Sequence, residues 1–213
     1  MSRLSLVLLL LFAFVFSAPA QYTVEPAGPC SAEGVSDAVK ASLESDGYRV
    51  KDSGGAVYVE IWLRKEIPTE KPPEPPRGTD FPSLVPGTMV GVIRYAKAGA
   101  DFRGQQIKPG VYTMRFNVQP EDGDHQGASP RRDHLLLGPV AVDQDPTSKP
   151  KFEAAVELST KVSGTKHPAV LFLASPESGA KFPSLRHAEG RDMLQVKSGS
   201  LEMGITVAGK AAD

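Results

Sequence analysis

The chain has 213 residues, with 24 lysines and arginines set against 25 aspartates and glutamates, a formal net charge of −1. That balance offers no basic footprint for nucleic acid, and the single cysteine excludes an intramolecular disulfide, so packing alone must hold the fold. With 40% hydrophobic residues, a chain of this length can bury one full core.

Arg3 precedes the apolar run Leu4 to Phe16, which ends in Ala18-Pro19-Ala20. The run is short for a membrane span, and Ala18 and Ala20 suit the positions a signal peptidase reads. Residues 1–20 therefore read as a secretory signal peptide cleaved before Gln21. The mature protein is expected in the periplasm or outside the cell, with no transmembrane segment after cleavage. A disordered lead-in is expected over 21–30, a single domain over 31–208 and a tail over 209–213. Cys30 follows Pro29, not the small residue that precedes a lipid-anchoring cysteine, and reads as an inert thiol. Asn117, the lone asparagine, is followed by Val118 and Gln119 and so is no glycosylation acceptor.

Val35, Ala38, Val39 and Leu43 fall at helical spacing, with Gly47 as a stop. Tyr48 to Val50 and Ala56 to Arg64 then form a hairpin around Asp52-Ser53-Gly54-Gly55. Alternation along the second strand puts Val57, Val59, Ile61 and Leu63 on a core face, and Tyr58, Glu60, Trp62 and Arg64 on the other. The Pro-rich loop 66–86 reads as an extended, semi-rigid connector. Thr88 to Tyr95 reads as a strand with Val90 and Val92 opposed to Met89, Ile93 and Tyr95. A turn at Lys108-Pro109-Gly110 leads into the regular alternation of Tyr112, Met114, Phe116 and Val118. Residues 120–132 form a polar loop, and His134 to Val142 a further strand with Leu135 and Leu137 opposed to His134 and Leu136. Pro150 to Gly164 reads as a second helix, and short strands follow at 170–173, 193–196 and 201–207. Strands dominate without regular strand–helix alternation, which predicts a mainly β fold, an antiparallel β-sandwich of immunoglobulin-like or jelly-roll-like form with one or two short helices.

Three stretches carry candidate chemistry. Asp122, Asp124 and His125 lie in an acidic loop followed by Asp133-His134, and such a group suits a divalent cation, calcium or magnesium through carboxylates or zinc through the imidazoles. An acidic, Gly-containing turn is equally a solvated hairpin tip. Arg131 and Arg132 suit a carboxylate or phosphate, or internal pairing with nearby acids. Tyr58, Glu60 and Trp62 on one strand face suit a sugar ring or peptide, or a second packed layer in which Glu60 pairs with Arg64 or Arg115. Ser163-Gly164-Thr165-Lys166 and Lys197-Ser198-Gly199 mimic serine–lysine motifs but lie too close together for the catalytic domain those motifs need. His167 and His187 read as surface or capping residues.

The runs Gly110 to Phe116, Asp122 to Gly127 and Arg132 to Leu137, with Glu60-Ile61-Trp62 and Ser163 to Val170, resemble exported proteins of unassigned function from soil bacteria of the acidobacterial type. In that pattern an aromatic commonly stands where His134 does, which counts against His134 as a metal ligand. The resemblance implies an exported, β-rich protein and supplies no activity. The expectation is a non-enzymatic exported module binding a small ligand, an envelope component or a protein partner. The alternative is a metal-binding protein or metal-dependent hydrolase using loop 121–134.

Overall fold

The computed structural model describes residues 22–121, 131–188 and 190–209. The strand alternation recurs through β1 (Thr23–Gly28), β2 (Gly47–Lys51), β3 (Val57–Leu63), β4 (Met89–Tyr95), β7 (Gly110–Val118), β8 (Asp133–Pro139), β9 (Val170–Ala174), β10 (Ser184–Ala188), β11 (Arg191–Ser198) and β12 (Leu201–Gly209). These form one ten-stranded antiparallel sheet in the order β1-β2-β3-β4-β7-β8-β9-β12-β11-β10. A two-stranded ribbon, β5 (Gly99–Ala100) with β6 (Gln106–Ile107), stands apart from it.

The sheet is not the predicted sandwich. Its edge strands β1 and β10 approach one another, so it is a nearly closed, barrel-like sheet around one interior. Val59, Ile61, Met114, Phe116, Leu135 and Leu171 are among the side chains that meet there, each excluded from solvent. Burying each such side chain stabilises the fold by roughly 1.5–3 kcal/mol. Alternation dictates an inward and an outward face for every strand, but a sandwich and a barrel need the same alternation. Here strands pair in chain order from β1 to β4 and from β7 to β9; the chain then crosses to the edge strand β10 and returns through β11 to β12 beside β9, all within one sheet.

Residues 21–30 were expected to be disordered. Instead Val24 pairs with Val50 and Glu25 with Arg49, making β1 an edge strand, and Gly28 N donates to Asp46 Oδ1 at 2.6 Å. In β4 a register shift between Met89 and Gly91 overturns the expected faces. Val90 joins Ile93 and Tyr95 in the main core, while Met89 and Val92 face outward. Gly91 permits this, because a Cβ there would lie 2.2 Å from the Trp62 carbonyl oxygen.

Helix α1 (Asp37–Ser42) begins where Ser36 Oγ accepts from Val39 N at 3.2 Å, and Val39 and Leu43 pack with Trp62, Met89 and Val92 on the outside of the sheet. Helix α2 (Phe152–Ser163) ends at Gly164 in the left-handed conformation (φ 65°). It flanks β8 and buries Ala155, Ser159 and Val162.

The Pro-rich segment connects β3 to β4 but is not a free spacer. Asp133 accepts from the backbone N of Asp80 at 2.6 Å and of Phe81 at 3.3 Å, and this clamp lets Phe81 and Leu84 join the main core. Arg115 and Asp143 form a buried, two-bonded pair whose guanidinium also donates to the carbonyls of Gly87, Asp145 and Ser148, tying the 140–150 loop to β7.

Candidate functional site: a pocket outside the sheet

The aromatic row on β3 is covered. Trp62 is 1% exposed beneath α1, and its Nε1 donates to Gly28 O at 2.8 Å; Tyr58 is 7% exposed and packs between Tyr22 and Tyr95. No face remains there for a sugar to stack upon. Glu60 sits between the two arginines opposite it across the strands: Arg49 Nε donates to Oε1 at 2.7 Å and Arg94 Nε to Oε2 at 2.7 Å. The second-layer reading had named Arg64 or Arg115 as its partner. Arg115 is held by Asp143, and Arg64 donates to the carbonyls of Pro146 and Met89. Side chains directly opposite on adjacent strands lie closer than those along one strand, which is why cross-strand arginines win.

Arg132 serves the loops. Its Nε donates to Gln119 O at 2.7 Å, and one Nη to Arg77 O at 3.0 Å and to Glu121 at 2.8 Å. Arg131 pairs with Asp80 at 2.9 Å and turns up at a different place, the rim of a pocket. Asp122, Asp124 and His125 lie outside the described residues. Among the described residues, no group of three or more His, Cys, Asp or Glu side chains is arranged to hold a metal ion.

The pocket, about 100 Å³, lies on the outer face of β8 and β9, under the β5–β6 ribbon and beside the start of α2. Its floor follows from strand alternation. Leu135 and Leu171 point into the core, so their neighbours His134 and Phe172, paired across the two strands, point out. Phe102, carried by the turn of the ribbon, stacks on Phe172 with ring centroids 5.1 Å apart and planes 25° from parallel. The Arg191 guanidinium lies 5.3 Å from the centre of the Phe102 ring and 5.2 Å from that of Phe172, so a buried cation also fixes this aromatic pair. Phe152 and Val170 supply further apolar wall.

The ribbon is fastened. Asp101, fully buried, accepts from Arg103 N at 2.9 Å and Gln105 N at 2.8 Å, closing its own turn, and from Val170 N at 3.3 Å. Phe102 N donates to Val170 O at 2.8 Å. One Nη of Arg103 donates to Pro168 O at 2.8 Å, and Gln105 is bound by Thr165 Oγ1 at 2.7 Å. A pocket whose walls are tied this way exists before a ligand arrives, so little ordering entropy opposes binding.

His134 is its most distinctive polar group. Nδ1 lies 3.0 Å from the Arg132 carbonyl oxygen, and only a protonated Nδ1 bonds a carbonyl, which assigns this tautomer and leaves Nε2 as a lone-pair acceptor. Burial, helped by the Arg103 charge and opposed by the carbonyl, holds the imidazole down at about 4, so it is uncharged at neutral pH. No partner meets Nε2 among the described residues, and no serine, threonine or cysteine there lies in hydrogen-bond reach of this ring. Among the described residues the site therefore offers a neutral acceptor, an aromatic floor and two rim arginines, but no nucleophile–base pair.

Arg131 was the one site residue read from the sequence that the fold brings here; Tyr58, Glu60, Trp62 and Arg132 lie elsewhere. Phe102, Arg103, Phe152 and Phe172 were missed. Phe102 and Arg103 sit in a turn without periodicity, and Phe172 looked like one more residue of a short buried strand. The outward placement of His134 opposite Leu135 was readable, but its partner across β9 was not. A second concavity, about 470 Å³, is framed by the Pro-rich segment from Glu70 to Pro86 with Val118 and Arg132. Its polar side chains are Glu70, Lys71, Ser83 and Arg132. No family model, curated protein or solved structure matches the chain, so no relative assigns a role to any of these residues.

Proposed function

We propose that this chain is an exported, non-enzymatic binding protein that holds a small ligand in the pocket between the β5–β6 ribbon, β8–β9 and the start of α2. The observation that carries the reading is the pre-built, largely apolar pocket whose lining includes His134 Nε2, an acceptor with no partner among the described residues. Buried apolar walls with a few oriented polar groups are the common make-up of small-molecule sites. At about 100 Å³ the pocket is smaller than the cavities that enclose a whole drug-sized molecule, and is of the order that admits one ring. The ligand is thus a small molecule, or the ring-bearing end of a larger one. Export rests on the charged and apolar pattern of residues 1–20.

The test is a ligand-observed NMR screen of single-ring compounds against the protein and a Val170→Trp variant, in which the larger side chain occupies the pocket. Binding to the parent and not to the variant, both folded by circular dichroism, is the expected result. Equal binding to both would place the site elsewhere and sink the reading.

A further inference from the structure

We propose that the ligand of this pocket is a monocyclic aromatic carboxylate bearing a ring hydroxyl, a hydroxybenzoate-like acid. The inference rests on the binding function proposed above and names the chemistry of that site. Three features select the class.

The first is size and shape. The stacked Phe102–Phe172 pair and Phe152 frame a space of about 100 Å³, and a flat ring fits against aromatic walls with the offset or edge contacts such rings favour.

The second is charge. Arg103 and Arg131 both line the pocket, and among the described residues no aspartate or glutamate does. Asp80 faces Arg131 through Nε, and Arg103 is anchored to the Pro168 carbonyl by one Nη. A guanidinium carries five N–H donors in a planar fork, so a single anchor positions each arginine without exhausting it, and the fork matches a carboxylate. A cationic ligand would meet repulsion from the same groups.

The third is the acceptor. His134, fixed by its bond to Arg132 O, presents Nε2 as an acceptor on the largely apolar lining. A ring hydroxyl is the donor that a benzoate otherwise lacks. With the ring packed against the phenylalanines, the carboxylate is held at the arginine rim and the hydroxyl donates to Nε2.

The test is isothermal titration of the full chain with 4-hydroxybenzoate, benzoate, benzyl alcohol, cyclohexanecarboxylate and benzylamine, repeated on Arg103→Gln, Arg131→Gln and His134→Val. The expected order is 4-hydroxybenzoate tightest, then benzoate, with benzylamine not binding. A charge-assisted hydrogen bond is worth enough that each arginine variant should weaken benzoate roughly tenfold and leave benzyl alcohol nearly unchanged. His134→Val should erase the advantage of 4-hydroxybenzoate over benzoate while benzoate itself still binds. If benzyl alcohol binds as well as both acids, or cyclohexanecarboxylate matches benzoate, the ligand class is wrong although the pocket still works as a site. If no ring compound binds, or all bind Val170→Trp equally, the binding function itself fails.

Discussion

At the scale of single residues, the pocket's histidine links the site to the stability of the fold. The His134 imidazole is held at about 4 in the folded protein, against about 6.5 for a free imidazole, so the unfolded chain takes up the proton first. Its contribution is therefore fully present above about pH 6.5 and is lost as the pH falls from there towards 4, by at most about 3 kcal/mol for a ring that is only half-buried. Asp133 acts in the opposite sense: burial raises its carboxyl above the usual value, so its ionisation weighs against the fold as the pH rises above the ordinary carboxylate range. Melting temperatures of the parent and His134→Val between pH 4 and 7 separate the two. The parent should lose stability on acidification more steeply than the variant, and parallel curves would contradict the assignment. Arg115 is a second residue with a calculable burden. Replacing it with alanine strands the Asp143 carboxylate in a buried site, and urea unfolding should show a loss of about 3–5 kcal/mol. Neither effect could be read from the sequence, because Arg115 and Asp143 are joined through a loop whose path has no periodicity.

Among the elements, the Pro-rich segment shows best how a local reading and a tertiary one diverge. Seven prolines between 68 and 86 predict an extended connector, and the chain there does connect β3 to β4. Yet Phe81 and Leu84 reach the core, because Asp133, at the start of β8, holds the backbone of Asp80 and Phe81. An aspartate more than fifty residues away leaves no mark on the segment's own composition. Asp133→Ala should leave these two N–H groups unmatched, cost about 1–3 kcal/mol and open the segment. Limited trypsin digestion reads this directly: cleavage after Arg77 should accelerate well beyond that of the parent, whereas unchanged cleavage would show the clamp to be idle. The strands and α2 were more legible. The alternation from Tyr112 to Val118 and the 3.6-residue spacing from Phe152 to Ser159 are properties of the segments themselves, and both appear where that spacing puts them. The two edge strands were missed: β1 carries Pro26 and little alternation, and β10 borrows its regularity from β11.

For the whole molecule, the sheet closes almost completely on itself, and that places the candidate site on its outer surface. The interior is filled by large side chains such as Phe116, Ile61 and Leu135, so the space for a ligand appears where added elements lean against the wall. The ribbon and α2 do so beside β8 and β9. Sequence alternation identified which residues of β8 face out, though not those of β4, and it could not tell which outward residues a ribbon and a helix would bring together; it was this second layer of placement that created the pocket. The most direct test is a ¹H–¹⁵N correlation titration of the full chain with benzoate and benzyl alcohol in parallel. The account predicts saturable shifts confined to residues 102–105, 134, 152 and 170–172, with the strands on the far side of the barrel unmoved. Shifts clustered around Phe81 to Val85, or none with either compound, would contradict it.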